Sequence, residues 1–487
     1  MEKISVKKNL FFSMAYQILN IILPLITAPY TARVLGLDGV GTNAYYASIA
    51  SYFLVFIMLG LNNYGNRTIA QSRDDPDQLS RQFWGIYTMQ FLCGIVVLGI
   101  YFAFCFAIGQ GDQRIYLLIN GITVLSGLFD INWFFFGCER FQLTVSRNFI
   151  IRLLSIALIF TFVHQPEHLL RYMGIMVGST LLSQLALWPY LFRMVTFTRP
   201  RAADVWQHFK PNLILFIPVV AISIYTIMDK IMLGYLSSKG QTGLYEYAEK
   251  IIKIPTAVIG AVGAVMMPRV AHLLSHGDTD RSLKYFRDTM QVMMMVALAL
   301  AFGLVGIAHN TALVLFGTEF QECGTVIAML AVTIPPLSWA NVIRTQYLIP
   351  LKKDRSYIVS VIAGAVVNAC LNVYCIPRWG ARGAAIGTIC AEYTVMLLQT
   401  IAVIQHLPIV TCLKDTVLPF LSAGIMLVAV RLVGRLMPAG IAALAAQIII
   451  GAVVYLTILA GSSLLLQPQR SRYLVSLILP QQKRKDA

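Results

Sequence analysis

The stretch PLITAPYTARVLGLDGVGTNAYYASIASYFLVFIMLGLNNYGNRTIA, residues 24 to 70, contains the pattern that decides the fold of this chain. Two apolar segments are joined by a short link that carries Arg33 and Asp38. A helix needs about 20 mostly apolar residues to cross a hydrocarbon core about 30 Å thick. Because the same pattern recurs along all 487 residues, the sequence predicts an all-α integral membrane protein.

The composition excludes an ordinary soluble protein. The chain is 57% hydrophobic and only 12% charged, whereas soluble domains carry about 25% charged residues. Its net charge of +16 is scattered between apolar spans, which favours lipid headgroups as partners and argues against nucleic acid. The eight cysteines form no C-x-x-C pair, so we expect no disulfide framework, metal site or cofactor.

Hydropathy predicts fourteen membrane spans. The predicted bounds are 10–32, 42–61, 83–108, 115–136, 148–163, 169–192, 212–235, 243–268, 289–308, 325–350, 357–376, 383–405, 416–434 and 441–466. The fifth is the weakest, because it is short and carries Arg152. The apolar segment at the start of the chain is too long for a signal peptide, so we expect the first span to be retained.

The basic residues predict the orientation. With the N-terminus inside, 25 of the 38 Lys and Arg residues fall in cytoplasmic segments and seven fall outside. This bias predicts fourteen helices with both termini cytoplasmic. The longest predicted loops have about 20 residues, which is too few for a soluble catalytic domain. The chain is therefore not expected to be an enzyme.

An internal repeat predicts the domain organisation. Arg33-Val-Leu-Gly36 is echoed by Ile231-Met-Leu-Gly234, about 200 residues later. This offset maps spans 1–6 onto spans 7–12 and predicts an N-terminal lobe at 1–205 and a C-terminal lobe at 206–410. Residues 411–487 would add spans 13 and 14 and a basic cytoplasmic tail. Repeats of this kind place the substrate site between the two halves.

Prolines occur at matching places in the two predicted lobes. Pro24 and Pro29 lie in span 1, and Pro218 lies in its counterpart, span 7. We expect them to interrupt these helices close to the binding site, as helix breaks do in many transporters.

Residues 24 to 70 resemble the N-terminal signature of Wzx-type polysaccharide flippases, members of the multidrug/oligosaccharidyl-lipid/polysaccharide export superfamily. Three later stretches resemble the same family: NWFFFGCERFQLTVSRN (132–148), MDKIMLGYLSSKGQTGLYEYAEKIIKIP (228–255) and LKKDRSYIVSVIAGAVVNACLNVYCIPRWGARGAAIGT (351–388). The resemblance implies a MATE-like arrangement of two six-helix lobes in a V, with two further helices at the C-terminus.

The resemblance also implies an activity. Such a protein moves an undecaprenyl-diphosphate-linked oligosaccharide from the inner to the outer leaflet of the bacterial cytoplasmic membrane by alternating access. The product would be capsule, exopolysaccharide or an O-antigen-type glycan. Expected partners are the lipid-linked oligosaccharide, membrane lipids, and a polysaccharide polymerase or glycosyltransferases.

Charged residues inside the spans are the candidate site residues, because a charge in hydrocarbon is costly and usually faces a wet cavity. Arginine and lysine suit a diphosphate. The predicted cationic, substrate-binding residues are Arg33, Arg67, Lys230, Lys253 and Arg344.

Three carboxylates are candidates for coupling transport to H⁺ or Na⁺. Glu392 lies near the predicted membrane midplane, and Asp130 and Asp229 lie in spans 4 and 7. An alternative for Asp229 is a permanent ion pair with the neighbouring Lys230. Arg152 is expected to anchor a span end at the headgroups.

Three alternatives remain at the level of the sequence. A peptidoglycan-precursor (lipid II) flippase would carry the same lipid anchor and charge. A cation-coupled multidrug exporter of the same fold would favour an acidic cavity. A membrane glycosyltransferase or polymerase would need a large outer loop, which the predicted spans do not leave.

Overall fold

The computed structural model describes residues 6–275 and 278–466, and helices joined by short links fill this part of the chain. In chain order the helices are α1 Val6–Met58, α2 Leu61–Ser72, α3 Pro76–Ile108, α4 Asp112–Ser126, α5 Asn132–Gly137, α6 Phe141–Phe162, α7 Leu169–Leu185, α8 Trp188–Leu191, α9 Ala202–Thr226, α10 Met228–Leu236, α11 Lys239–Ser275, α12 Thr279–Phe316, α13 Cys323–Ala331, α14 Ile334–Ile343, α15 Asp354–Val403, α16 Ile409–Leu436 and α17 Ile441–Leu466. The predicted all-α membrane fold is confirmed.

Ten helices among the described residues are long and apolar enough to cross a membrane. Helix α1 contains the first two predicted spans, with a break in helical geometry at Gly36 between them, and α15 contains spans 11 and 12, with a break at Gly380. The weak fifth span is a complete helix of 22 residues, α6. The basic tail predicted after span 14 lies outside the described residues.

Glycine allows each of the two longest helices to change direction. Helix α1 leaves helical geometry at Gly36, where φ is 66°, and α15 does so at Gly380, where φ is 53°. Side chains with a Cβ rarely adopt this left-handed conformation. The following amides are capped by distant side chains: Leu37 N donates to Glu319 Oε1 at 3.0 Å, and Ala381 N donates to Gln241 Oε1 at 2.8 Å.

The expected proline breaks were placed wrongly. Helix α1 continues through Pro24 and Pro29, and α9 contains Pro218 without ending there. The helical path of span 7 instead breaks at Ile227, between α9 and α10. Membrane helices tolerate proline when neighbouring groups satisfy the freed carbonyl.

The described helices fall into two compact units. The first comprises the chain up to Ile254, with Phe316–Phe320 and Tyr357–Val395. The second comprises Pro255–Leu315, Gln321–Ser356 and the chain from Met396 onward. The domain boundaries at 205/206 and 410/411 stay predictions.

An aromatic core holds the cavity-forming helices of the first unit together. Trp133 of α5 stacks on Phe83 of α3 with ring centroids 5.6 Å apart, and Gly65 of α2 provides the space beside it. Trp133 Nε1 donates to Gln90 Oε1 at 3.0 Å. The Gln90 amide in turn donates to the carbonyls of Gly127 and Asp130, where α4 ends. This bracing fixes the start of α5 and therefore the position of Asn132.

Candidate functional site

A polar cavity of about 450 Å³ lies among helices of the first unit. Small-molecule sites usually measure about 300–1,000 Å³. Its described lining includes four basic residues, Arg147, Arg152, Lys230 and Lys250, and one carboxylate, that of Glu246. Hydroxyl and amide side chains from α1 and α7 supply neutral hydrogen-bonding groups. The cavity is therefore hydrophilic and its fixed charge is positive.

Helix α6 contributes a polar stripe to the cavity wall. Asn148, Arg152 and Ser155 follow one another at spacings of four and three residues, and Arg147 lies beside Asn148. Residues spaced three or four apart share one face of a helix. The neighbouring face of α6 is apolar, so the helix as a whole is still hydrophobic enough to be predicted as a membrane span.

Arg147 is held in a fixed orientation. Only 8% of the residue is exposed, and its Nη2 donates to Oδ1 of Asn132 at 3.1 Å and of Asn148 at 2.8 Å. Asn148 Oδ1 also accepts from Ser183 Oγ of α7 at 2.7 Å. Asn132 Nδ2 donates to Asp130 Oδ1 at 2.7 Å. A buried guanidinium is stable only when it is hydrogen-bonded. These hydrogen bonds therefore hold the Arg147 guanidinium in one orientation at the cavity wall.

A network of five charges reaches the cavity through Lys230, Glu246 and Lys250, which line it. Lys230 Nζ lies 3.0 Å from both Glu246 Oε2 and Glu249 Oε2. Lys250 pairs with Glu246 at 3.3 Å and Lys253 with Glu249 at 3.0 Å, each one helical turn apart on α11. Three ammonium groups meet two carboxylates, so the network keeps a net positive charge.

Asp229 forms a separate polar cluster and does not pair with Lys230. It is fully buried, and its Oδ2 accepts from Tyr245 Oη at 2.7 Å and Thr388 Oγ1 at 2.8 Å. Its Oδ1 accepts from Asn372 Nδ2 at 2.6 Å. Asn372 Nδ2 also donates to Asn368 Oδ1 at 3.1 Å. All these partners are neutral, so a buried carboxylate sits among oxygen-bearing side chains.

The four predicted substrate-binding cations of the first unit do not all lie at one cavity. Lys230 lines the cavity, and Lys253 is joined to it through a shared carboxylate, that of Glu249. Arg33 is exposed, and Arg67 is exposed at a different cavity. Arg344 opens a π-helical segment, Arg344–Leu348, in the second unit. Their roles in substrate binding stay predictions.

The remaining carboxylate candidates occupy different surroundings. Asp130 is half-buried and is linked to Arg147 through Asn132. Glu392 is half-buried on α15. A coupling role for Asp130, Asp229 or Glu392 stays a prediction.

Several residues that line the cavity are not among the site residues predicted from the sequence. The predicted spans leave Arg147 in the link before span 5, and Arg152 is expected to be a span-end anchor, yet both line the cavity. The polar residues Asn148, Arg152 and Ser155, spaced four and three apart on α6, are the signal available in the sequence. Glu246, Glu249 and Lys250 were also missed, although the paired Glu–Lys spacing of four in span 8 predicts ion pairs.

A second, apolar groove adjoins the cavity. It measures about 390 Å³ and runs between α6 and α7. Its lining is mostly apolar, with Gly174 and Gly178 leaving open space. Ile151, Ser155 and Ser179 line both the groove and the polar cavity. A polar chamber and an apolar channel therefore share a wall.

Several aromatic residues near the ends of the predicted spans are packed inside the first unit. Trp133, Tyr245 and Tyr247 are buried. Tyr247 stacks on Phe316 with ring centroids 4.7 Å apart, and its hydroxyl lies 2.7 Å from Thr31 Oγ1. These rings pack the interior of the first unit.

Membrane-length helices surrounding a charged, hydrophilic cavity define a polytopic membrane transporter. The chain belongs to the polysaccharide biosynthesis protein family, whose model matches residues 6–274. The resemblance to polysaccharide flippases is thereby confirmed, and the chain is a transporter rather than an enzyme.

Two relatives illustrate the family at the level of sequence. The chain is 20% identical over 404 residues to the "Putative O-antigen transporter" of Escherichia coli (strain K12), covering 82% of this chain and 96% of the relative. It is 24% identical over 191 residues to the lipid II flippase MurJ of Bacillus subtilis (strain 168), covering 38% and 35% of the two chains.

Solved structures confirm the MATE-like fold. An inward closed conformation of the lipid II flippase MurJ matches with a TM-score of 0.73 at 16% identity, covering 96% of this chain and 100% of that one. An inward-facing multidrug resistance MATE family transporter matches with a TM-score of 0.58 at 14% identity, covering 81% and 99%. At these identities the likeness shows the fold alone.

Proposed function

We propose that this protein is a flippase for an undecaprenyl-diphosphate-linked oligosaccharide, which it moves from the inner to the outer leaflet of the bacterial cytoplasmic membrane by alternating access. The glycan would serve capsule, exopolysaccharide or O-antigen-type polysaccharide. The observation that supports this most is the cavity whose described lining holds four basic residues and one carboxylate. A positive, hydrophilic chamber inside a membrane protein suits an anionic cargo with a sugar-rich headgroup.

The diphosphate would bind to the arginines of α6. Arg147 is already oriented by Asn132 and Asn148, so little freedom is lost when it meets a phosphate. Arg152 lies on the same face, and Lys230 and Lys250 add positive charge from the opposite helices. Arg33, Arg67, Lys253 and Arg344 remain proposed contacts at other stages of the transport cycle.

The polyprenyl tail would leave the chamber through the groove between α6 and α7. Its walls are mostly apolar, with Arg171 as the charged residue of the described lining, and three of its residues also line the polar cavity. A lipid could then place its charged headgroup in the cavity while its tail stays in contact with the bilayer. This arrangement avoids moving the isoprenoid through a polar interior.

The coupling ion would bind at Asp229 in this proposal. A buried carboxylate with a threonine hydroxyl and asparagine amides nearby offers hard oxygen ligands for Na⁺, or a protonation site for H⁺. Asp130 and Glu392 are the other candidates. Binding of cargo and ion to different conformations would shift the populations that alternate.

A lipid II flippase is the nearer alternative, because that cargo has the same diphosphate anchor. An exporter of cationic drugs is disfavoured by the positive cavity, which repels such cargo. The basic residues support a location in the cytoplasmic membrane with both termini inside. Glycosyltransferases and a polymerase are the expected neighbours in the pathway.

Charge removal on α6 tests the proposal. Arg147→Gln and Arg152→Gln should each reduce surface glycan at least tenfold in cells that depend on this transporter. The basis is that a hydrogen bond to a charged group contributes about 1.5–3 kcal/mol. Arg114→Gln, at an exposed position on α4, is the matched control. Wild-type export from both α6 variants, each present in the membrane at normal amounts, would overturn the proposal.

A further inference from the structure

A second cavity lies at the end of the first unit where α2 ends and α3 begins. It measures about 490 Å³, within the range of about 300–1,000 Å³ typical of small-molecule sites. Helices α2, α3 and α9 form its walls. The loop between α2 and α3 is one that the charge bias places on the cytoplasmic side, where a lipid-linked glycan is loaded.

Two side chains that line this cavity each have a buried polar atom without a hydrogen bond in the described residues. His208 is 3% exposed, and its Nδ1 lies 2.7 Å from Tyr64 Oη. His208 Nε2 and Gln82 Oε1 are buried and make no hydrogen bond within residues 6–275 and 278–466. Protein folds normally satisfy such atoms, so two unsatisfied atoms on side chains that line one cavity are consistent with a ligand there.

The rest of the lining determines the chemistry of that ligand. Three side-chain amides line the cavity, those of Gln71, Gln82 and Gln207. Each amide can donate hydrogen bonds through its nitrogen and accept them through its oxygen. Arg67 is the only permanently charged residue in the described lining. The polar cavity described above, which Arg147 and Arg152 of α6 line and which we call the α6 cavity, has five charged residues. A diphosphate would favour the α6 cavity, while neutral hydroxyl groups would favour this one.

Helix α9 supplies the apolar part of the wall through Pro211, Ile214 and Leu215. A pyranose ring has hydroxyl groups at its edge and a C–H surface on its face. Amides combined with an apolar wall match both properties, because each sugar hydroxyl can donate and accept while the ring face packs against carbon.

We propose that this cavity, which we call the glutamine pocket, binds a sugar of the lipid-linked oligosaccharide and selects the glycan before the diphosphate enters the α6 cavity. The proposal rests on the proposed function. It separates two tasks in one chain: the glutamine pocket reads neutral sugar hydroxyls, and the α6 cavity binds the charge common to all such lipids.

The experiment compares two lipid probes on the full chain in nanodiscs, with binding measured by native mass spectrometry. One probe is undecaprenyl diphosphate, and the other is the undecaprenyl-diphosphate-linked oligosaccharide extracted from the source cells. Gln82→Leu and His208→Phe should weaken binding of the sugar-bearing lipid at least fivefold. They should leave binding of undecaprenyl diphosphate within twofold.

Matched controls distinguish a pocket from a general defect. Gln78→Leu changes an exposed residue of the same type one turn earlier on α3 and should alter neither affinity. Gln71 and Gln207 are also exposed, so Gln71→Ala/Gln207→Ala tests the same pocket if the buried variants fail to fold. Arg147→Gln should weaken both lipids.

The outcomes separate the two proposals. Equal loss of both lipids in Gln82→Leu, or no loss of either in this variant and in Gln71→Ala/Gln207→Ala, overturns the glutamine pocket. Selective loss of the sugar-bearing lipid together with unchanged binding in Arg147→Gln supports the pocket and contradicts the proposed role of the α6 cavity.

Discussion

Asp229 and Lys230 are adjacent in sequence but serve different networks. Their side chains point to different neighbours, because residues one apart on a helix lie about 100° apart around its axis. The ammonium joins Glu246 and Glu249, whereas the carboxylate meets Tyr245, Thr388 and the amide cluster. A buried charge with neutral partners is a costly arrangement to retain for packing alone.

Asp229→Asn should abolish the dependence of transport on the coupling ion while the chain stays folded. Asparagine has the same shape, yet it cannot bind a proton at physiological pH or supply a full negative charge to Na⁺. Transport into vesicles would be measured across imposed H⁺ and Na⁺ gradients. Asp112→Asn, at an exposed site, is the control. If ion dependence persists in Asp229→Asn and disappears in Glu392→Gln or Asp130→Asn, the coupling site lies elsewhere.

At the scale of elements, the two long helices obtain their direction changes from glycine and a remote cap. Gly36 and Gly380 both have positive φ. A Cβ at Gly36 would stand 3.4 Å from Glu319 Oε1, which is ordinary contact, whereas a Cβ at Gly380 would overlap the Gln241 side chain. A side chain should therefore be accommodated more easily at position 36 than at position 380.

Gly380→Ala should destabilise the protein more than Gly36→Ala. Both variants bear a penalty of about 1–3 kcal/mol for a Cβ in a backbone conformation that glycine alone adopts readily, but only Gly380→Ala also displaces the cap of the Ala381 amide. Thermal unfolding in detergent, followed by intrinsic fluorescence, provides the measurement. Gly99→Ala lies in α3 with open space around the added methyl and should be neutral or stabilising. Equal losses at positions 36 and 380 would rule out a contribution from the Gln241 cap.

The low hydropathy of α6 is explained by the charged residues that it places at the cavity. Helix α6 was the weakest predicted span because of Arg152, yet its polar stripe makes one wall of the cavity. The charges that lowered its hydropathy are the charges that face inward. A span that is weak by hydropathy is therefore a candidate for lining a polar chamber.

At the scale of the molecule, membrane orientation decides how each cavity is used. The glutamine pocket can act in loading only if the loop between α2 and α3 is cytoplasmic. The positive-inside bias supports that orientation, since Arg67, Arg73 and Arg81 surround this loop. The loop between α3 and α4 should then face outward.

Labelling of single cysteines in intact cells tests this orientation. In a background without reactive native thiols, Gln110→Cys should react with a membrane-impermeant maleimide, whereas Asp74→Cys should react only after permeabilisation. Both positions are exposed, so accessibility reports the side of the membrane. Labelling of Asp74→Cys in intact cells would reverse the topology and remove the loading role of the glutamine pocket.

The amino-acid sequence alone determined that this chain is a helical membrane protein, because apolar length and charge bias are local properties that no tertiary contact can change. It also indicated the family through its ordered motifs. The fifth span and the pairing of helices through short links followed from the same information.

Only the tertiary structure decided which charges share a cavity. Arg147 and Lys230 are 83 positions apart in sequence, and nothing in their local patterns predicts that helices α6 and α10 line the same chamber. Hydropathy evaluates a charged residue together with its neighbours in the sequence. The free-energy cost of placing that charge in a membrane depends instead on which other helices surround it. The separation of Asp229 from Lys230, and the open groups of His208 and Gln82, likewise depend on packing between distant segments.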